Sequence, residues 1–158
     1  MVSCTFSIRP LKRSDHDVIR DVYTDAVLSQ GPLFYNTEQI TAWASLAALP
    51  GILDRSLDEG IGWVVVDQKT IEAFAIRYPS NHLDLLYCRG RSSRKGYATT
   101  LIKKIEFDAN QEGIKTLFTE ASLFSYSLLL NCGWQQQAID QIQIAGVSFY
   151  RYRMFKKL

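Results

Sequence analysis

The residues Arg91-Ser92-Ser93-Arg94-Lys95-Gly96-Tyr97-Ala98-Thr99-Thr100 bring three cations and one glycine together at the start of an amphipathic run. A hydrophobic segment, Leu83-Asp84-Leu85-Leu86-Tyr87-Cys88, precedes them, and Tyr97, Leu101, Ile102, Ile105 and Ala109 follow at helical spacing. A strand, a basic loop and a helix N-terminus therefore succeed one another. The chemistry this suits is anion binding. First-turn N–H groups of a helix have no intrahelical partner and carry the positive end of its dipole. Arg91, Arg94 and Lys95 add charge, and Gly96 and Ala98 let a ligand approach the main chain. The natural guest is a phosphate or pyrophosphate. Three solvated surface cations are the plainer alternative.

A second set of residues could move a proton. His82 and Asp84 are two apart, so one face of a strand carries both. An imidazole with an ordinary pKa of about 6.5 suits a base at neutral pH, and an idle strand-edge histidine is the competing reading. Asp84 could orient a partner or hold a substrate cation. Phe34 and Tyr35, just ahead of a helix that carries Trp43, could form an aromatic wall for a cationic amine or a flat ring, with Trp43 itself read as core. Cys88 reads as a buried thiol rather than a nucleophile, because no basic partner is placed beside it.

These groups need a frame. Thr5 to Arg9 alternates as a short strand. Ser14 with Asp17 predicts an N-cap, followed by a helix whose apolar face is Val18, Ile19, Val22, Tyr23, Ala26 and Val27 and which stops at Gly31-Pro32. A second helix starts at Asn36 or Thr37, and a short third covers Ile52 to Leu57. Trp63–Val66 and Ile71–Tyr78 read as a hairpin, and His82–Cys88 as the next strand. Beyond the anion loop and its helix come a strand at Ile114–Ala121, a helix at Ser125–Asn131, and a closing hairpin of Trp134–Ile144 with Val147–Phe155. The order is β-α-α-β-β-β-α-β-α-β-β. An α/β (α+β) fold follows, with a mixed, mostly antiparallel central sheet of about seven strands flanked by helices. The connection from Cys88 to Ile114 is long enough for a parallel, right-handed βαβ unit.

Composition bounds the function. The 158 residues suit a single domain, residues 1–158. Hydrophobic residues are 47% and charged ones 22%, and the net charge is +2, so the expectation is no nucleic-acid partner and only local basic patches. The basic and aromatic alternation from Tyr150 to Lys157 reads as one solvated and one buried strand face. No apolar run reaches the length of a membrane span, and the N-terminus lacks signal-peptide character. Cys4, Cys88 and Cys132 show neither metal-ligand spacing nor a disulfide framework. A reduced, cytoplasmic setting with no metal is expected. Self-association into a homodimer is left open.

The element order, with its anion loop after the fourth strand, resembles the GNAT superfamily of acyl-CoA-dependent N-acetyltransferases. Its signature, Gln or Arg, two residues, Gly, one residue, then Gly or Ala, falls on Ser93-Arg94-Lys95-Gly96-Tyr97-Ala98, with Ser93 in the first position. Leu83-Asp84-Leu85-Leu86-Tyr87, Phe118-Thr119-Glu120-Ala121-Ser122, Cys132-Gly133-Trp134, and Phe34 to Ile40 with Trp43 are similar to the bacterial YafP-like branch. The resemblance implies acetyl-CoA as cosubstrate. Its diphosphate would lie on the N–H groups from Arg94 through Ala98, with Ser93 and Thr99 close by. Its pantetheine would lie along Leu86, Tyr87 and Cys88, and Ser122 would lie on the same side. The acceptor would be a small amine near Phe34 and Tyr35. His82 falls where some members carry a glutamate base. The tyrosine that often protonates the leaving thiolate falls on Leu129, which leaves Tyr126, three residues earlier, as the substitute. A non-catalytic acyl-CoA-binding or sensing domain is the alternative.

Overall fold

The structure, a computed structural model, describes residues 5–158; Cys4 lies outside them. The elements are β1 Phe6–Pro10, α1 His16–Gln30, α2 Thr37–Ala44, α3 Asp54–Glu59, β2 Ile61–Asp67, β3 Thr70–Arg77, β4 Leu83–Cys88, α4 Tyr97–Gln111, β5 Thr116–Ala121, α5 Tyr126–Asn131, β6 Gln135–Ile144 and β7 Val147–Lys157. This is the expected order with the short third helix included. The described part is mixed α+β, and its strand pairs are antiparallel apart from one parallel bridge.

Burial explains the central strands. All of β3 from Ile71 to Arg77 is buried, so both of its faces must be covered. Val65, Ala73 and Ala75 meet Leu101, Ile102, Ile105 and Ala109 of α4 on one side. Val64, Phe74 and Ile76 meet Ile19, Val22, Tyr23 and Val27 of α1 on the other. Burying each of these large aliphatic side chains contributes about 1.5–3 kcal/mol. Truncating Leu101 to Ala would cost about 2–5 kcal/mol.

Two sequence expectations change. The helix cap at Ser14 and Asp17 is replaced by a 3-10 turn at Arg13–Asp15, in which Asp15 accepts from the Lys12 N–H at 2.8 Å. Arg9 donates to both oxygens of Asp15, at 2.8 and 2.9 Å, and this ion pair ties β1 to the helix entry. Val18 therefore turns outward and is 36% exposed. The expected βαβ crossover is also shorter in its pairing. β4 and β5 are joined by a single parallel bridge, His82 with Phe118, and the Phe118 N–H donates to the Asn81 carbonyl at 2.9 Å. Beyond this point the strands part. The seven strands form a four-stranded sheet, β1-β2-β3-β4, and a three-stranded one, β5-β7-β6. Among the described residues no helix is long and apolar enough to cross a membrane.

Candidate active site

The anion loop is fastened from below by a carboxylate. Glu72 on β3 is 4% exposed. It accepts from Arg91 Nε at 2.8 Å and Nη2 at 2.6 Å, and from the Ser92 hydroxyl at 2.5 Å. The hydrogen bonds from Arg91 outweigh the opposing effect of burial and, with Ser92, hold the carboxyl down at about 2. Arg89 adds two ties to the same strand: its N–H reaches the Glu72 carbonyl at 2.8 Å and its Nε the Ile71 carbonyl at 2.9 Å. Arg91, though exposed, is thus committed to Glu72, and Arg94 and Lys95 are exposed with no ion-pair partner among the described residues.

The turn itself leaves donors open. Arg94 has φ +66° and Gly96 φ +83°, the left-handed region that glycine enters without penalty. α4 begins at Tyr97 with no side-chain cap. Ser93 N–H is used by the Gly90 carbonyl, but the N–H groups of Arg94 through Thr99 have no hydrogen-bond acceptor among the described residues. A Cβ built on Gly96 would meet nothing within 4 Å. A concave run of unpaired N–H groups facing open space is the geometry of an oxyanion or phosphate nest.

The loop opens onto a cleft of about 510 Å³ that is lined by Phe34, Leu86, Tyr87, Cys88, Ser93, Arg94, Gly96, Tyr97, Ala98 and Thr99, among others. Most of the expected cosubstrate residues therefore converge. Several differ in detail. Arg91 and Lys95 line a neighbouring polar groove beside Glu72. The Tyr97 ring is buried against Phe6 and its hydroxyl donates to Asp67, so only its main chain can face the cleft. Phe34, expected on the acceptor side, lies on this cleft instead. Partial burial pushes the Cys88 thiol up to about 11, so it is neutral at physiological pH, but the residue is half-buried on the cleft rather than buried as expected.

Where β4 and β5 part, they enclose a second chamber of about 140 Å³. Leu83, Asp84, Leu86 and Tyr87 line it from β4, and Thr119, Glu120 and Ser122 from β5 or just beyond. Ile142, Ile144, Phe149, Tyr150 and Arg151 of the closing hairpin cover it, with Tyr35 and Trp43 behind. Tyr35 and Ser122 both line this chamber, and neither lines the larger cleft. The chamber shares Leu86, Tyr87 and Ser125 with the larger cleft. On its far side it shares Asp84, Glu120 and Arg151 with an open groove that holds His82. The three cavities are thus neighbours along the gap between the sheets.

His82 sits behind the carboxylates and does not line the chamber. Its Nδ1 is 3.1 Å from the Tyr78 carbonyl and its Nε2 2.5 Å from Glu120 Oε2; Asp84 Oδ1 is 3.7 Å from Nδ1. Both ring nitrogens face acceptors, which favours the doubly protonated ring. Burial opposes the charge, but Glu120, the Tyr78 carbonyl and Asp84 outweigh it, and the pKa of His82 lies above its ordinary 6.5. His82 in turn holds Glu120 below the usual carboxylate range. Asp84 accepts from the Ser56 hydroxyl. Glu120 was missed as a site residue by sequence reasoning. Its only signal is its place on β5 two residues beyond Phe118, the bridge partner of His82, which needs the strand register. Tyr126 is elsewhere: its hydroxyl donates to Gln136, its ring packs on Tyr152 at 4.4 Å, and it lines neither cavity. Leu129 is buried and lines the chamber.

No protein-family model matches the sequence, and no curated protein matches it. Solved structures do. The GCN5-related N-acetyltransferase of Rhodopseudomonas palustris superposes with a TM-score of 0.93 at 25% identity, covering 100% of this chain and 99% of that one. The chain has the fold of the GCN5-related N-acetyltransferases (GNAT). The PaiA N-acetyltransferase of Thermoplasma acidophilum, solved with coenzyme A, aligns at TM-score 0.74 and 18% identity over 97% of this chain and 99% of that one. The yncA protein of Salmonella typhimurium, solved with acetyl-CoA, aligns at TM-score 0.66 and 16% identity over 97% and 94%. In this fold the chamber at the split between the sheets adjoins the cleft at Gly96 through Leu86, Tyr87 and Ser125.

Proposed function

We propose that the protein is an N-acetyltransferase that moves an acetyl group from acetyl-CoA to the nitrogen of a small amine. One observation carries the reading: the N–H groups from Arg94 to Thr99 have no acceptor among the described residues, and Arg94, Gly96, Ala98 and Thr99 line a cleft that adjoins a carboxylate-lined chamber. The fit of the cosubstrate is supported by the same donors, by two cations free of Glu72, and by a cleft of suitable size. Likeness to structures solved with coenzyme A or acetyl-CoA supports it further. The sequence likeness to the YafP-like branch supports a detoxifying role.

The chain's own residues divide the work. The main-chain donors of Arg94 to Thr99, with Arg94 and Lys95, hold the diphosphate. On β4, the Arg89 N–H bonds to β3 while the Cys88 carbonyl accepts from Gln30 Nε2 at 2.7 Å on the other edge. By the two-residue alternation of a strand, Leu86 N–H and C=O share the edge of Cys88. Leu86 is therefore the residue whose main chain aligns pantetheine and whose N–H is available to a developing oxyanion. Bound acetyl-CoA supplies the acyl group: a C–N bond forms, the C–S bond breaks, and an ammonium acceptor releases one net proton to solvent. Glu120 and Asp84 are the carboxylates placed to hold the ammonium until its proton passes to solvent, and His82 keeps Glu120 ionised. No side-chain acid is needed for the thiol, whose ordinary pKa is about 8.5.

Calorimetric titration with CoA and acetyl-CoA, joined to thiol-release assays over an amine panel, tests this. Saturable binding and thiol release with at least one amine are expected. Binding with no amine turned over would make the protein a non-catalytic acyl-CoA sensor. No binding would remove the reading altogether.

A further inference from the structure

We propose that the chamber between β4 and β5 selects primary aralkylamines, compounds in which an ammonium group is joined by a short chain to a single ring. The assignment rests on the acetyl-transfer reading and adds the substrate class to it.

Size is the first argument. The chamber measures about 140 Å³, close to the roughly 150 Å³ that holds one benzene in an apolar protein cavity. Lining is the second. Tyr35 and Trp43 meet edge to face at 5.3 Å between centroids, and Tyr35 and Phe149 lie 5.8 Å apart. Trp43 and Phe149 are 6% and 4% exposed, and Tyr35 Oη accepts from the Leu123 N–H at 3.0 Å. This wall is built before any ligand arrives, so a ring gains contact without ordering cost. Ile142 and Ile144 complete an apolar lining.

Charge placement is the third. Asp84 and Glu120 line the chamber from opposite strands. Ser56 takes Asp84 Oδ2 and His82 takes Glu120 Oε2, so each carboxylate keeps its other oxygen out of a hydrogen bond, although Asp84 Oδ1 lies 3.7 Å from His82 Nδ1. Two carboxylate oxygens beside an aromatic wall recognise an ammonium attached to an apolar body. Aniline is uncharged at neutral pH and forfeits this pair. A polyamine would place its second cation against Ile142, Ile144 and Phe149. A peptide would leave its amides unpaired there. An amino acid would bring its carboxylate toward Asp84 and Glu120. Arg151 also lines the chamber and its charge helps keep Glu120 ionised, but its hydrogen bonds go to Asp140, at 3.1 and 3.3 Å.

The full chain, saturated with CoA, is titrated calorimetrically with phenethylamine, phenylalanine, aniline, spermidine and an alanine-initiated tripeptide, and the same compounds are assayed for thiol release from acetyl-CoA. Phenethylamine is expected to bind and to give a kcat/KM at least about tenfold above each other compound. Asp84→Asn and Glu120→Gln are each expected to weaken phenethylamine about tenfold while CoA affinity, which reports folding, stays unchanged. Equal or better performance by any other compound overturns the aralkylamine assignment and leaves acetyl transfer standing. Binding of phenethylamine with no turnover of any compound upholds the chamber's assignment and removes the transferase reading. No phenethylamine binding by protein that binds CoA overturns the assignment.

Discussion

Replacing Gly96 by Glu separates ligand binding from folding. The residue has φ +83°, and a Cβ there would meet nothing within 4 Å. The folded protein therefore loses only the cost of a non-glycine residue in the left-handed region, about 1–2 kcal/mol. The ligand effect is larger. A carboxylate about 5 Å from a phosphate charge, at an effective dielectric of about 20, is repelled by about 3 kcal/mol, or roughly a hundredfold in Kd. Occlusion of the N–H groups adds to this. Gly113 supplies the control, because it too has φ +83° with no atom within 4 Å of a Cβ and lies just past the other end of α4. Gly113→Glu should match the loss in urea-derived stability and leave CoA affinity unaltered. Calorimetric titration of CoA into both variants is the assay. If Gly96→Glu binds CoA as Gly113→Glu does, the loop does not hold the diphosphate.

Glu72→Gln should lower stability at pH 7 by about 2 kcal/mol. The shift from the ordinary 4.5 to about 2 corresponds to about 3 kcal/mol, reduced because Arg91 faces solvent. A depressed folded pKa stabilises above the unfolded value, so the gap between wild type and variant should narrow as pH falls from 5 to 2, and urea melts that keep it constant would refute the assignment. His82 works with the opposite sign. Its raised pKa stabilises the fold below about 6.5 and the contribution fades as pH rises through the folded value, so His82→Gln should flatten the wild type's loss of stability between neutral and alkaline pH; thermal melts across that range check this. Tyr126→Phe should leave kcat and both KM values within about twofold, since its ring lines neither cavity, and a large fall in kcat would show that it reaches the reaction.

What was legible in the sequence was local. The Asn36 cap is a case: its side chain accepts from the Gln39 N–H at 2.8 Å, and Gln39 returns the bond at 3.1 Å. The spacing of Leu101, Ile102, Ile105 and Ala109 fixed a buried helix face, and Gly96 marked the turn. What failed depends on distant partners. Asp15 displaces Ser14 at the helix entry because Arg9, on another element, binds it. Arg91 looked available to a phosphate because Glu72, 19 residues earlier, gives no local sign that it captures the guanidinium. Glu120 belongs with His82 only through one parallel bridge, and no periodicity reveals where two strands diverge. Phe34 and Tyr35 are adjacent, yet a 3-10 turn at Gly31–Leu33 ahead of them sends one to each cavity.

The long closing hairpin, β6 with β7, has a further consequence. Its Ile142, Ile144, Phe149, Tyr150 and Arg151 all belong to the acceptor chamber, and none of its residues lines the cosubstrate cleft. Under the proposed function, substitutions in that hairpin would remodel which nucleophile is admitted without touching the residues that line the cleft for the donor. A lineage could retool its chemistry by altering one ribbon at the C-terminal end of the chain while the rest of the scaffold is inherited intact.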